Sequence, residues 1–401
     1  MSGLTQIDAS PRPRETARYS RATGSHRMSG RQPTFAALWG MLLAAWLAGA
    51  CSGPELTERQ LIERSCHSGN LRDCGEVGWW NECGNGVPVN TGKAQGYYEQ
   101  ACSAGDARSC GRLGNMYREG IGGRVDLPRA LVLLQGACTA GDLRSCTLAG
   151  ILLENGRGGV KDPVKAARFY QAACNDGDHR ACANIGTMYV EGKVLTQDDR
   201  HAVRLFQAAC EANWAPACSS LGRMYEQGRG GLEMSPSQAV ALYNKSCEMG
   251  AGSGCLLMAF ACERGMGIQS DTTRAAIFYV QSCERGHDVG CHYAAQVYEQ
   301  GRGVPTSRER ALELYGRGCD LGYGIACAAA AGYYEQGHAS PAARAEHCWD
   351  RGCINDHGLS CVKLAEMLQR GTQPDPERAR RALKRACELG EKLGCAGLGD
   401  K

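Results

Sequence analysis

The sequence predicts an all-α solenoid of helical hairpins cross-linked by disulfides, and three periodic features carry that prediction. The first is a set of ten cysteine pairs with one eight-residue spacing, recurring about every 36 residues: Cys66/Cys74, Cys102/Cys110, Cys138/Cys146, Cys174/Cys182, Cys210/Cys218, Cys247/Cys255, Cys283/Cys291, Cys319/Cys327, Cys353/Cys361 and Cys387/Cys395. The second is a pair of glycine-type positions at fixed offsets from those cysteines. The third is an alanine standing eight residues before the next pair. A fixed period of this size marks a stacked array, in which each unit buries its apolar face against its neighbours.

Each mark within the repeat has a structural reason. Three residues after the first cysteine come Gly69, Gly105, Gly141, Gly177, Asn213, Gly250, Gly286, Gly322, Asp356 and Gly390. These residue types tolerate positive φ, which a helix needs in its left-handed capping residue. The first cysteine therefore falls in the last turn of one helix, and the second opens the next. Four residues after the second cysteine stands a small residue: Gly78, Gly114, Gly150, Gly186, Gly222, Ala259, Ala295, Ala331 or Ala365. Seven after it, Tyr117, Tyr189, Tyr225, Tyr298 and Tyr334 recur. Positions 0, +4 and +7 share a helix face, so the small residue should admit a partner helix and the tyrosine should fill the space beside it.

Ten residues after the second cysteine, glycine marks a second helix stop: Gly84, Gly120, Gly156, Gly192, Gly228, Gly265, Gly301, Gly337 and Gly371. A loop follows, in which Asp162-Pro163 and Asp375-Pro376 read as N-cap and first helical residue. The next helix carries Ala94, Ala130, Ala166, Ala202, Ala239, Ala275, Ala311, Ala345 or Ala379. Four residues further on come Tyr98, Tyr170, Phe206, Tyr243, Tyr279, Tyr315 or Trp349, so alanine, ring and cysteine form one buried stripe. Only the glycine-to-alanine loop changes length. It is usually 10 residues, but 11 from Gly228 to Ala239 and 8 from Gly337 to Ala345 and from Gly371 to Ala379.

Cysteine at this density, 24 in 401 residues, belongs in an oxidising compartment. Zinc sites use closer Cys-x₂₋₄-Cys knuckles, often with histidine. A spacing of eight with nine scattered histidines offers none, so neither metal nor cofactor is expected. The net charge of +3 arises from six arginines against Asp8 and Glu15 in the first 50 residues. The nearly neutral remainder argues against nucleic acid as a partner.

The N-terminus reads as an export signal. Phe35–Ala50 is a 16-residue apolar stretch behind Arg31, shorter than the ~20 residues of a membrane span. With Met28 just upstream, translation is expected to start there, leaving residues 1–27 an extension and 1–50 as a whole extension plus signal peptide. The run Leu47-Ala48-Gly49-Ala50-Cys51 resembles a bacterial lipobox, although Ala48 occupies the usual leucine place. Lipidation at Cys51 is therefore expected, with 51–57 a linker to an array of nine to ten repeats over 58–398. Ala48 and Ala50 equally fit an ordinary cleavage site, which would give soluble secretion. The expected location is the bacterial periplasm or outer membrane as a lipoprotein, with a membrane contact through that anchor, or outside the cell.

The segment from Cys218 to Gly228, followed by Gln238-Ala-Val-Ala-Leu-Tyr243 and Cys247-Glu-Met-Gly250, resembles the Sel1-like repeat, a relative of the tetratricopeptide repeat. The added cysteines resemble the secreted cysteine-rich branch first known from Helicobacter. The resemblance covers residues 58–398. It implies a right-handed superhelix of helical hairpins that binds a protein or peptide as an adaptor rather than an enzyme. It also implies an alternative, penicillin or peptidoglycan-fragment binding with weak β-lactamase activity. The end repeats depart from the pattern: Asn81 replaces the tyrosine, with Trp79, Trp80 and Cys83 nearby, and the last has Leu368. Atypical terminal repeats are normal caps, the alternative being a ligand patch at Trp79–Trp80.

Catalytic motifs are sparse. The glycines in Arg157-Gly158-Gly159 and Arg229-Gly230-Gly231 are repeat loops. Ser360-Cys361-Val362-Lys363 matches S-x-x-K, but the S-D-N and K-T-G companions of that chemistry are missing, so no catalytic residue is assigned. His67, His179, His287 and His357 read as surface turn residues. Cys262 and Cys348 fall at apolar helix positions and read as small buried hydrophobes. Cys83 aligns with Glu119, Glu191 and Gln227, a polar position beside a helix stop. It is expected to be the exposed free thiol, or else an intermolecular bridge.

Overall fold

Two turn types, each closed by a left-handed residue, convert the periodic sequence into alternating helices. The computed structural model describes residues 54–337, 342–370 and 374–399; the apolar stretch Phe35–Ala50 and Cys51 lie outside the described residues. The described chain forms two compact units, 54–196 and 197–399. The first holds α1 (Pro54–His67), α2 (Cys74–Cys83), α3 (Thr91–Ser103), α4 (Ala107–Glu119), α5 (Leu127–Thr139), α6 (Leu143–Asn155), α7 (Pro163–Asn175) and α8 (His179–Glu191). The second begins with α9 (Asp199–Glu211), α10 (Ala215–Gln227), α11 (Pro236–Glu248), α12 (Gly252–Arg264), α13 (Thr272–Glu284) and α14 (Asp288–Gln300). It continues with α15 (Arg308–Asp320), α16 (Gly324–Glu335), α17 (Ala342–Ile354), α18 (Gly358–Arg370), α19 (Pro376–Glu388) and α20 (Lys392–Gly397). Among the described residues there is no strand, and no helix is long and apolar enough to cross a membrane.

The tight turn follows each first cysteine. All ten residues expected to be left-handed are so, including the non-glycines Asn213 (φ 63°) and Asp356 (φ 61°). A disulfide closes each of these turns. The bridges are Cys66–Cys74, Cys102–Cys110, Cys138–Cys146, Cys174–Cys182, Cys210–Cys218, Cys247–Cys255, Cys283–Cys291, Cys319–Cys327, Cys353–Cys361 and Cys387–Cys395, with Cα–Cα distances of 4.3–4.9 Å. A closed loop of this length constrains the unfolded chain by about 2.5 kcal/mol per bridge in the chain-entropy model.

The place of the second cysteine differs from the expectation that it opens its helix. Only Cys74 does so. Cys110, Cys146, Cys182, Cys218, Cys255, Cys291, Cys327, Cys361 and Cys395 each stand fourth in their helices. The reason is that the left-handed residue is followed directly by the N-cap, such as Asp106, Asp142 or Asp178, so the helix restarts ahead of the cysteine. The second sulfur thus projects from the end of a first turn, back toward the helix that carries its partner. Cys146 and Cys182 are buried there, whereas Cys395 in the short helix α20 is half-buried.

The longer turn begins at the second glycine stop, with φ of 61–75° from Gly84 to Gly337. It ends at an N-cap whose side chain accepts a backbone N–H three residues on: Asn90, Asp126, Asp162, Asp198, Ser235, Asp271, Ser307 and Asp375. Capping is thus general, and Asp-Pro is only its most legible form.

The core of most hairpins is a ring resting on a small residue, glycine in the first five repeats and alanine in the rest. The nine alanines ahead of each cysteine pair are at most 2% exposed, and Tyr98, Tyr170, Tyr243 and Tyr279 are wholly buried. A Cβ at Gly78 would lie 2.8 Å from the Tyr98 ring, at Gly150 2.5 Å from Tyr170, and at Gly222 2.6 Å from Tyr243. The ring over the small residue therefore comes from the following helix. The tyrosines seven after the second cysteine do not fill this space; all five are only half-buried. They stand in the last helical turn, past the close approach, and turn outward. The Tyr117 hydroxyl, for example, donates to Glu99 Oε1 of the preceding hairpin at 2.7 Å.

Burying a hydroxyl in this core demands an acceptor. Tyr170 donates to Glu154 at 2.8 Å, Tyr279 to Glu263 at 2.7 Å, Tyr315 to Glu299 at 2.9 Å, and the Trp349 indole N–H to Glu335 at 2.8 Å. Tyr98 and Tyr243 pair with Glu82 and Glu226 in the same way. Where the ring position holds Leu134, Phe206 or Leu383, the glutamate position holds Arg118, Val190 or Gln369. The carboxylate is present where a donor is buried and absent where none is. The bond survives changes in loop length: its span is 16 residues for Tyr315, 17 for Tyr243 and 14 for Trp349.

These contacts set the effect of filling the gap. Alanine gains up to about 1 kcal/mol of helix propensity over glycine, whereas overpacking a rigid core costs roughly 1–3 kcal/mol. Gly150→Ala should therefore destabilise the array by about 1–2 kcal/mol in urea unfolding. Gly136→Ala, whose added methyl meets nothing within 4 Å, should stabilise it.

Candidate binding surface

In the first helix of each hairpin, one face remains after packing has taken the others. Positions 0, +3, +4 and +6 from the second cysteine are buried in α10, α12, α14 and, except at +6, α16; +2 and +5 stay partly or wholly open. These open positions lie together on one side of a helix. They are not fixed by the repeat, and within the unit 197–399 they change character from hairpin to hairpin. On α10 they are Ser220 and Arg223, on α12 Leu257 and Phe260, on α14 Tyr293 and Gln296, on α16 Ala329 and Gly332, and on α18 Lys363 and Glu366. A polar surface thus becomes apolar over α12–α16 and polar again.

Aromatic rings give this strip its shape. Phe260 and Tyr293 meet edge to face with centroids 4.9 Å apart, and both rest on the buried Tyr279. Arg264 lies 5.2 Å over the Phe260 ring. From Tyr293 the cluster continues through His292 to Tyr315 and Tyr323, with centroids 5.4–5.7 Å apart. Burial depresses the His292 pKa, so its imidazole is neutral at physiological pH, and Nδ1 has no hydrogen-bond partner. Tyr333 closes the strip: its hydroxyl and that of Tyr315 donate to the two oxygens of Glu299 at 2.7 and 2.9 Å. Burial and Glu299 push the Tyr333 phenol up to about 12, so it remains a donor. Half-exposed rings held rigidly by a buried layer suit contact with apolar side chains at small entropic cost.

The residues singled out in the sequence fall elsewhere. Ser360 is wholly buried, and its hydroxyl lies 2.7 Å from His357 Nδ1 at the start of α18. Lys363 pairs with Glu366 at 2.9 Å. This S-x-x-K is thus a helix N-terminus beside an exposed ion pair. His67 and His179 are exposed, but His287 is 7% exposed, which corrects its reading as a surface turn. Gly252 of the preceding repeat lies against it, and Nδ1 accepts the Gly290 N–H at 3.3 Å, so His287 is an N-cap. Trp80 is core, at 9% exposure, packed with Cys66, Cys74 and Ala101. Among the free thiols Cys262 and Cys348 are buried and Cys83 is exposed.

The fold and this surface define a protein built of stacked helical hairpins whose varied residues face outward from a constant core. The Sel1 repeat model matches residues 74–106, 107–142, 143–178, 179–214, 215–250, 252–287, 289–323 and 358–391, and the chain belongs to the Sel1 repeat family. The unmatched stretch 324–357 nonetheless folds as the hairpin α16–α17, with the bridges Cys319–Cys327 and Cys353–Cys361 at its ends. No protein with a curated description matches the chain. Among solved structures, it is similar to a protective antigen of uropathogenic Escherichia coli, at 23% identity and TM-score 0.47 over 85% of this chain and 74% of that one. A Sel1 repeat protein from Oxalobacter formigenes matches at 20% identity and TM-score 0.47, over 75% and 88% respectively. Helicobacter pylori cysteine rich protein B matches at 25% identity and TM-score 0.28, over 34% of this chain and 97% of its own.

Desolvation, then the neighbouring Glu82, raise the Cys83 pKa. Its thiolate fraction at pH 7 is therefore below that of an ordinary cysteine. Native alkylation with iodoacetamide should label Cys83 first, slowly at pH 7 and faster as pH rises past 9, while Cys262 and Cys348 react only after denaturation. Quantitative peptide mapping across pH measures this.

Proposed function

We propose that this protein is an exported scaffold that binds an extended segment of a protein partner, seating its apolar side chains on the strip from Leu257 and Phe260 to Tyr293 and Tyr333. The observation that carries this reading is the half-exposed Phe260–Tyr293 pair, held on a buried tyrosine at positions the repeat leaves free. Sel1 repeat proteins bind protein partners in general. The alternative, β-lactam or peptidoglycan-fragment recognition with weak hydrolysis, has no such support, since Ser360 is buried and bonded to His357.

Peptides selected against the oxidised chain from a random library should lose at least about tenfold in affinity, about 1.4 kcal/mol, in a Phe260→Ser/Tyr293→Ser variant. Equal binding by both proteins would overturn the assigned surface. Turnover of a chromogenic β-lactam that is lost on Ser360→Ala would overturn the scaffold reading.

The ten bridges support an oxidising compartment for the folded chain. We further propose that it is held at the bacterial envelope by acylation of Cys51. Fatty-acid labelling of the expressed precursor should be abolished by Cys51→Ser; unlabelled, freely released protein would instead establish soluble secretion.

A further inference from the structure

The ten bridges look interchangeable in sequence, yet one of them carries a cation. Arg285, in the tight turn after α13, reaches back to the bridge of the preceding turn. Its Nη1 lies 2.8 Å from Cys247 Sγ and in closer contact still with Cys255 Sγ and the Cys247 carbonyl oxygen. Arg285 stands two residues after the first cysteine of its pair. The other nine repeats place Ser, Ala, Asp, Met, Leu or Asn at that position. The nearest analogue, Arg351, directs its guanidinium to the Cys319 and Asp320 carbonyl oxygens instead.

From this contact we infer that Cys247–Cys255 is a thiol–disulfide exchange site, reducible by a dithiol in preference to the neighbouring bridges. A guanidinium beside a sulfur lowers the free energy of the thiolate and hence the thiol pKa. In the disulfide there is no charge for Arg285 to stabilise, whereas the reduced state gains one whenever a thiol ionises. Its effect is therefore confined to the product side, and the equilibrium shifts toward the dithiol.

The exchange is an ordinary two-electron one. A thiolate of the incoming dithiol attacks the sulfur of Cys247, a residue that is 3% exposed against 0% for Cys255. The Cys247–Cys255 bond breaks, and its electron pair leaves on Cys255 Sγ, the sulfur that Arg285 approaches most closely. The second thiolate of the dithiol then attacks its own sulfur in the mixed disulfide. This releases Cys247 and leaves the reductant as a cyclic disulfide. Two electrons pass from dithiol to protein, and the two thiol protons of the reductant are matched by those taken up by Cys247 and Cys255 or returned to solvent.

Exposure alone predicts a different order. Cys247 and Cys255 are as buried as Cys210–Cys218 and Cys283–Cys291, whereas both members of Cys102–Cys110 are half-buried. The full oxidised protein should be equilibrated at pH 8 in buffers of stepped reduced-to-oxidised dithiothreitol ratio and quenched in acid. Differential alkylation and peptide mass spectrometry then give the reduced fraction of each bridge. Cys247–Cys255 should be half-reduced at a ratio about threefold lower than Cys210–Cys218 and Cys283–Cys291, what stabilising one thiolate by a factor of about ten gives at pH 8, where an ordinary thiol is still mostly protonated. Arg285→Gln should remove that lead, and Arg285→Lys should keep part of it, with far-UV circular dichroism verifying that both fold. Titration of Cys247–Cys255 together with its two neighbours, prior reduction of Cys102–Cys110, or an unchanged lead in folded Arg285→Gln would each overturn the assignment.

Discussion

The array depends on the contact between a large buried side chain, a ring in most repeats, and the small residue of the helix beneath it. Where that residue is glycine, as at Gly78, Gly150 and Gly222, the ring lies against the helix backbone closely enough to exclude even a methyl group. Most of the repeat follows from this approach. The alanine four residues before the ring must be small because it faces the same neighbour. The hydroxyl of the ring must find an acceptor inside the hairpin, and a glutamate at the very end of the opposing helix provides it. The loop joining the two helices can then lengthen or shorten without disturbing either partner.

Packing and cross-linking divide the work between the two turn types. The tight turn is short, left-handed at one residue and closed by a bridge, so it holds the exit angle of one helix against the entry of the next. The longer turn has no covalent closure and relies on a glycine stop and a side-chain cap. Stability is thereby spread over many small, similar contributions, as nearest-neighbour energetics of repeat arrays require. Residues that need no fixed identity are relegated to one face of the first helices. The aromatic strip around Phe260 and Tyr293 occupies that face, where an array can vary its contacts without touching its core.

Much of this architecture was legible because each fixed mark answers to a backbone or packing requirement with few solutions. Left-handed residues must be glycine, asparagine or aspartate, and Asn213 and Asp356 were recognisable for that reason. The pairing of the cysteines followed from their spacing, since both lie beside a single tight turn. Where the second helix restarts was misjudged by one turn, as Cys146, Cys182 and Cys395 illustrate, because the cap ahead of it varies from aspartate to tryptophan to glutamate. The Tyr–Glu bond was missed although its signal was present: the glutamate tracks the ring from repeat to repeat, a correlation visible only when two variable columns are compared. The role given to Tyr117 and its equivalents was misplaced because helix periodicity assigns a direction but not the point where a neighbouring helix ends. The surface strip was illegible for the opposite reason, since its residues obey no repeat rule. Its signal is which variable positions lie outside the fixed stripe, and the burial of the remainder is needed to read it. The contact of Arg285 with a bridge 38 residues earlier joins adjacent repeats, which no local spacing encodes.

The two turn types also differ in what a peptide-bond cut would do to the molecule. Between the cysteines of a pair, cleavage leaves both fragments joined through sulfur and both helices still packed, so a protease gains nothing there. The glycine-to-alanine loops have no such tether, and they are also where length varies and where exposed apolar residues such as Val89, Val125 and Met234 are found. Fragmentation in a protease-rich setting would therefore proceed in whole-repeat steps, releasing blocks that each keep their own bridge and their own helix junction.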